Sequence, residues 1–126
     1  MALKYKLEAF RDGTKPSQEG VFIHFLEDVP CYQSLITKEE YFGSCTDSEG
    51  AEKSDFITKL FEVEGVVEVS SKAYQLYIIK AELFDWSSVL TNVFVNVLLE
   101  AFGETTVEEL PGSRMTITDS VQRRQL

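Results

Sequence analysis

The order of helix and strand signals between Ser54 and Phe102 constrains the fold of this chain more than any other feature. Four segments follow one another with short connections, and in chain order they are SDFITKLFEVEG, VVEVS, QLYIIK and DWSSVLTNVFVNVLLEAF. The first and last carry apolar residues at helical spacing, whereas the two between them are rich in β-branched and aromatic residues. Since four residues separate these two strands, too few for a parallel crossover, they predict an antiparallel hairpin.

Both helices have clear boundaries in the sequence. Ser54 is a favourable N-cap, Asp55 places a negative charge in the first turn, and Gly65 predicts the end of the first helix. Asp85 is the predicted cap of the last helix, which runs over Trp86–Phe102 and ends before a glycine.

The last helix has more apolar surface than contact with one sheet requires. Its polar residues form a narrow stripe with a spacing of four, at Ser88, Asn92, Asn96 and Glu100. The surplus apolar surface is explained either by burial against the first helix as well as the sheet, or by a protein interface such as a homodimer. Val95 and Leu99 lie beside the polar stripe, and we expect them at the exposed apolar edge of such an interface.

Two further strands are predicted upstream. Leu3–Phe10 alternates between apolar and charged residues, and Val21–Leu26 is a short apolar run. The segment between them, RDGTKPSQEG, is dense in turn residues and predicts a loop. Cys31–Phe42 is ambiguous, and both a short strand and an irregular packed loop stay open.

These elements predict a single two-layer α+β domain over residues 1–103, in which an antiparallel sheet carries both helices on one face. The broad apolar face of each helix and the alternation in the strands are the physical basis of this prediction. Residues 104–126 form a polar tail, for which an edge strand at Met115–Thr118 and disorder both stay open.

The net charge of −9 bears on the class of partner. It disfavours nucleic acid and anionic membrane surfaces, because Lys and Arg supply most of the affinity for both. Six acidic residues and one lysine lie between Glu39 and Asp55, which predicts a solvated, mobile loop. This loop would attract a basic protein, and Glu49 and Glu52 are its expected interaction residues.

The sequence also predicts a cytoplasmic location. The N-terminal residues MALKYKLEAFRDG contain no apolar run of the length that a signal peptide needs. The longest apolar segment, Val89–Phe102, is too short and too polar to cross a bilayer.

Three side chains are candidates for catalysis or metal binding, namely those of His24, Cys31 and Cys45. His24 lies inside an apolar strand, where a partly exposed or hydrogen-bonded histidine is the favoured interpretation, and no spacing orients it towards a cysteine nucleophile. The three side chains are too few for a structural zinc site or an iron–sulfur cluster within one chain, although two chains pooling them across a dimer would have enough. We expect free thiols, no cofactor and no enzymatic activity.

The region from Ser54 to Phe102 resembles the N-terminal domain of the Nfu/NifU-type scaffold proteins. The matching residues are Ser54 at the helix start, LFEVEGV at Leu60–Val66, LYIIK at Leu76–Lys80 and the pair Asp85-Trp86, with VFIHFLEDVP at Val21–Pro30 as a weaker match upstream. The resemblance covers about half of the chain. It implies a β-β-α-β-β-α fold and an accessory or protein-docking role, with iron–sulfur assembly or recipient proteins as partners.

This sequence contains no C-x-x-C, the motif of the family's cluster-binding domain. The resemblance therefore places no cluster on the chain, and an accessory interaction domain is the leading hypothesis. Two alternatives stay open. One is a homodimer that binds metal or a cluster through pooled Cys31, Cys45 and His24, and the other is a divergent scaffold with an unrelated binding role.

Overall fold

A six-stranded sheet forms the centre of the computed structural model, which describes residues 2–11, 19–44 and 54–112. Its strands are β1 (Ala2–Arg11), β2 (Glu19–Phe25), β3 (Gln33–Thr37), β4 (Val66–Lys72), β5 (Gln75–Lys80) and β6 (Thr106–Glu109). Their order across the sheet is β3-β4-β5-β2-β1-β6. All neighbouring strands run antiparallel except β1 and β6, which are parallel.

The helices are α1 (Lys38–Ser44), α2 (Asp55–Glu62), α3 (Trp86–Val93) and α4 (Leu99–Phe102). A π-helical segment, Phe94–Leu98, joins α3 to α4, and we call these three consecutive segments the C-terminal helix. None of the helices in the described part of the chain has the length and apolar character that crossing a membrane requires.

The alternation along β2 shows which face of the sheet is covered. Val21, Ile23 and Phe25 are buried, whereas Phe22 and His24 between them are only partly buried. Since successive strand residues point to opposite faces, the first three mark the core side.

Both long helices pack on that core side. Leu60 and Phe61 of α2 and Val93 of the C-terminal helix have no exposed surface, and they belong to the same core cluster as the buried strand residues. Burying an apolar side chain of this size contributes about 1.5–3 kcal/mol to folding. Lys59 of α2 also forms an ion pair with Glu100 of the C-terminal helix, at 3.1 Å.

Aromatic pairs fix the C-terminal helix over β1 and β2. The rings of Tyr5 and Phe94 have centroids 4.5 Å apart, and those of Phe25 and Phe102 are 4.7 Å apart. The helix ends as predicted at Gly103, whose φ of 70° is left-handed, a conformation that glycine adopts without strain. The predicted cap of α2 is also present, because the Ser54 hydroxyl accepts a hydrogen bond from Ile57 N at 3.3 Å.

The prediction of a single α+β domain is confirmed, with one difference in the sheet. The sheet is mixed rather than wholly antiparallel, because β6 follows the C-terminal helix and returns beside β1 in the parallel sense. Leu110 N then donates to Tyr5 O at 2.7 Å. The first part of the predicted polar tail 104–126 therefore belongs to the sheet, while Met115–Thr118 lies outside the described residues.

The ambiguous segment Cys31–Phe42 contains strand β3 and most of helix α1. Helix α1 was not expected, because seven residues with a glycine give little periodicity. Its start is fixed by a capping box, in which Thr37 Oγ1 accepts from Glu40 N at 3.1 Å and Glu40 Oε1 accepts from Thr37 N at 3.0 Å. The predicted acidic loop Glu39–Asp55 thus begins as a helix, and its residues 45–53 lie outside the described part.

Candidate interaction surface

The face of the sheet opposite the helices carries side chains that lie outside the core cluster of the described structure. We call it the open face, and its residues are Lys4, Lys6, Glu8, Phe22, His24, Leu35, Ser70, Lys72, Gln75 and Tyr77. The strand register places most of these side by side, since directly paired residues share a face. The described helices contribute to the core on the other side of the sheet.

Two stacked aromatic rings occupy the middle of the open face. Phe22 of β2 is paired with Tyr77 of β5, and their ring centroids lie 4.4 Å apart. The Tyr77 ring lies directly over Gly20, where a Cβ atom would collide with it. A larger residue at this position would require the Tyr77 ring to move, so glycine allows the ring to pack closely on β2. Ile79, the strand partner of Gly20, is buried beside it.

His24 lies next to this aromatic pair. Its Nε2 atom is 3.2 Å from Glu8 Oε1 across the β1–β2 pair, and both side chains are about two-fifths exposed, at 39% and 43%. Its ring also lies 6.1 Å from that of Phe22. The expected hydrogen-bonded and partly exposed strand histidine is what the structure contains.

The structure does not bring His24 and Cys31 together within one chain. Cys31 is a free cysteine that packs against the core, and its carbonyl accepts a hydrogen bond from Ser71, whose side chain is buried on the helix side. Cys45 lies outside the described residues. Within residues 2–11, 19–44 and 54–112, no three His, Cys, Asp or Glu side chains form a group that would hold a metal ion.

A groove extends the open face towards the edge strand β3. It has a volume of about 580 Å³, and Tyr32, Leu35, Ser70 and Lys72 contribute to its lining. A smaller pocket of about 130 Å³ adjoins it between Leu35 and the aromatic pair. Leu35 is 57% exposed, so it presents an apolar surface that folding leaves in water.

Two tyrosines lie close to the end of this groove. Tyr32 and Tyr74 are 59% and 51% exposed. Partial desolvation and then the Asp28 carboxylate raise the pKa of Tyr32. Tyr74 is the second residue of the β4–β5 turn and has a φ of +63°, the one positive φ at a non-glycine residue in the described part of the chain. A bulky side chain in this region is an outlier.

A buried polar cluster lies at the other end of β5. Lys80 is 6% exposed, and its Nζ atom is 3.7 Å from Glu19 Oε2 and 5.6 Å from the centroid of the Trp86 ring. The Trp86 indole donates to the same carboxylate at 3.1 Å. The cluster joins two strands to the start of the C-terminal helix, which is a structural role.

The interaction residues predicted from the sequence lie elsewhere. Val95 is 60% exposed, and Leu99 is half-buried against the core. Most of the surplus apolar surface of the C-terminal helix is buried, and among the large apolar residues of this fully described helix only Val95 is mainly exposed to solvent. Glu49 and Glu52 lie outside the described residues.

Phe22, Leu35 and Tyr77 were not identified as candidates from the sequence. The signal was present for two of them, because Phe22 and Tyr77 occupy the strand positions that alternate with core residues. The strand pattern alone does not establish which face of the sheet packs against the helices, so it does not place these two partly exposed rings outside the core.

Comparison with known proteins gives no family assignment: no family model matches the chain, and no match was found among curated proteins or solved structures. The class of this domain is therefore described from its fold and its open face alone. This is a two-layer α+β domain with helices on one side of the sheet and an aromatic surface on the other.

Proposed function

We propose that this chain is a non-enzymatic protein-interaction domain that binds its partner through the open face, in an accessory role related to iron–sulfur cluster scaffold proteins. The observation that carries the proposal is the apolar surface made by Phe22, Tyr77 and Leu35 on the side of the sheet away from the core. Aromatic residues are enriched among the residues that dominate binding energy at protein interfaces.

Tyr5, Tyr32 and Glu40 have displaced pKa values, and they lie on separate parts of the fold. Each displacement has a local cause: burial and then Glu109 raise the pKa of Tyr5, and backbone and side-chain hydrogen bonds from Thr37 lower that of Glu40. These shifts follow from packing and capping.

The relation to iron–sulfur scaffold proteins rests on the sequence resemblance. If β1, α1 and β6 are left out, the remaining elements β2, β3, α2, β4, β5 and the C-terminal helix are compatible with the β-β-α-β-β-α order that the resemblance implies. The partners in this proposal are iron–sulfur assembly or recipient proteins. The cytoplasmic location expected from the sequence stays a prediction.

Affinity capture with a matched pair of variants tests the proposal. The tagged full chain, Leu35→Asp and Leu83→Asp would each be used to capture partners from the native cell. Leu35 lies on the open face, whereas Leu83 is 96% exposed in the β5–α3 connection, so both tolerate a charge. We expect Leu35→Asp to lose the partners that the wild type and Leu83→Asp retain.

Two results would contradict separate parts of the proposal. If both variants capture the same partners as the wild type, the open face is not the binding surface. If the partners that depend on Leu35 include no iron–sulfur assembly or recipient protein, the relation to that process is wrong, while the interaction role stands.

A further inference from the structure

The groove beside β3 has the shape and position of a site for an extended chain. Strand β3 lies at one edge of the sheet, and its pairing with β4 is irregular between Gln33 and Ile36. The two residues between them, Ser34 and Leu35, are exposed. Extended peptides bind sheets by adding a strand to such an edge, with alternate side chains entering pockets on one face.

The pockets next to this edge have an apolar part and a polar part. Leu35, Phe22 and Tyr77 line the smaller pocket, which suits one large apolar side chain. The larger groove is lined by hydroxyl and amide groups, among them those of Ser34 and Ser70. These groups suit the polar backbone of a bound peptide and the residues that flank its apolar side chain.

The charge of the groove is opposite to that of the molecule. Lys72 is the only charged residue that lines either of the two pockets in the described structure, although the whole chain has a net charge of −9. An acidic segment is therefore attracted at Lys72, whereas the Asp28 carboxylate beside Tyr32 repels it at that part of the groove. Charge complementarity of this kind selects partners and fixes their register more than it adds affinity.

The turn residue Tyr74 supplies an independent reason to place binding at this end of the sheet. Its positive φ costs about 1–2 kcal/mol for a residue with a Cβ atom, and glycine avoids that cost. Folding alone would favour glycine, yet the turn carries an exposed tyrosine adjacent to the groove residue Ala73. Backbone strain of this kind clusters at ligand-binding sites.

We propose that the β3 groove binds an extended acidic peptide segment, with a large apolar side chain in the pocket formed by Leu35, Phe22 and Tyr77 and an adjacent Asp or Glu side chain at Lys72. The segment adds to β3, which is an edge strand of the sheet in the described part of the chain. This inference rests on the proposed function, since it names the chemistry of the partner segment that the open face receives.

Selection from a phage-displayed library of random linear heptapeptides tests the proposal. The library would be selected against the full chain, against Lys72→Glu, and against the matched control Lys4→Glu, which reverses a charge on the same face near the other edge. We expect the wild type and Lys4→Glu to select peptides with Asp or Glu beside a large apolar residue. Lys72→Glu should bind those peptides about tenfold more weakly by fluorescence polarisation, because attraction is replaced by repulsion of similar size.

Three outcomes would overturn the proposal. They are selected peptides without acidic residues, equal binding of the selected peptides to Lys72→Glu and the wild type, and a wild-type dimer that Leu35→Asp converts to a monomer, which would assign the groove to a second copy of the chain. If affinity capture depends on Leu35 but the selected peptides bind Lys72→Glu and the wild type equally, the proposed interaction role stands. Only the proposal of an acidic partner segment is then wrong.

Discussion

The buried ammonium group of Lys80 shows how one residue can be accommodated in a position that its charge disfavours. Glu19 supplies a counter-ion at 3.7 Å, Ala81 O accepts at 3.4 Å, and the Trp86 ring lies beneath the ammonium group. Removing one partner of a buried pair costs more than replacing the charge with an apolar group, because it leaves the other charge uncompensated.

We therefore expect Glu19→Gln to lower the free energy of unfolding by about 1–3 kcal/mol, since Lys80 loses its counter-ion and Trp86 its charged acceptor. Lys80→Met should be less costly, and it should reduce the effect of Glu19→Gln in the double variant. Urea denaturation of the four proteins measures this coupling. Additive effects of the two substitutions would show that the groups do not interact.

The capping box of α1 makes a pH-dependent prediction. Hydrogen bonds from Thr37 lower the pKa of Glu40, so the folded state favours the carboxylate. A lowered pKa means that this contribution is present above the ordinary glutamate pKa and is lost as the pH falls through the lowered value. Thr37→Ala removes the hydroxyl and keeps the backbone donor, so we expect it to raise the pKa of Glu40 in an NMR titration. An unchanged pKa would show that the hydroxyl does not contribute to the shift.

Tyr74 allows stability and binding to be separated. We expect Tyr74→Gly to raise the free energy of unfolding by about 1 kcal/mol, because glycine adopts a positive φ without the steric cost. The same variant should bind the selected acidic peptides more weakly. Tyr32→Ser, at a neighbouring exposed tyrosine without backbone strain, is the control for stability. If Tyr74→Gly is destabilising, the turn is not strained.

At the scale of whole elements, the sequence predicted those with strong periodicity. It predicted the hairpin β4–β5, helix α2 and the C-terminal helix. The residues that indicated the two helices, such as Leu60 in α2 and Trp86 in the C-terminal helix, are buried in the structure. The same residues carry the resemblance to the scaffold family, so the resemblance concerns packing more than binding. Helix α1 was missed although Thr37 and Glu40 have capping-box spacing, because a seven-residue helix depends on tertiary contacts.

The prediction about self-association concerns the exposed edge of the C-terminal helix. Val95→Asp should change the free energy of unfolding by no more than about 0.5 kcal/mol, since Val95 is exposed on the π-helical segment. In a dimeric wild type the substitution should shift the sedimentation coefficient towards the monomer, because it places a charge in the interface. Leu83→Asp is the matched control. A wild type that is monomeric at high micromolar concentration would show that this helix serves the core alone.

On the scale of the whole molecule, the two faces of the sheet have different roles. The helix side holds the core, and the open face holds the aromatic pair, the His24–Glu8 contact and the groove beside β3. Composition and spacing predicted the layers, but they did not show which outward-facing residues meet. That depends on strand order, because β5 lies beside β2 and brings Tyr77 next to Phe22.

The last prediction follows from the positions of Cys31, which packs against the core, and of His24, which lies on the open face. Because biological clusters usually need four thiolates, and Cys31 packs against the core, we expect anaerobic incubation of the full chain with iron and sulfide to give no stoichiometric cluster by metal analysis and visible absorption. Cys31→Ser should leave the spectrum unchanged, with His24→Gln as the control on the open face. A stoichiometric cluster that is lost in Cys31→Ser would instead establish a dimer that pools its cysteines, and it would overturn the accessory role.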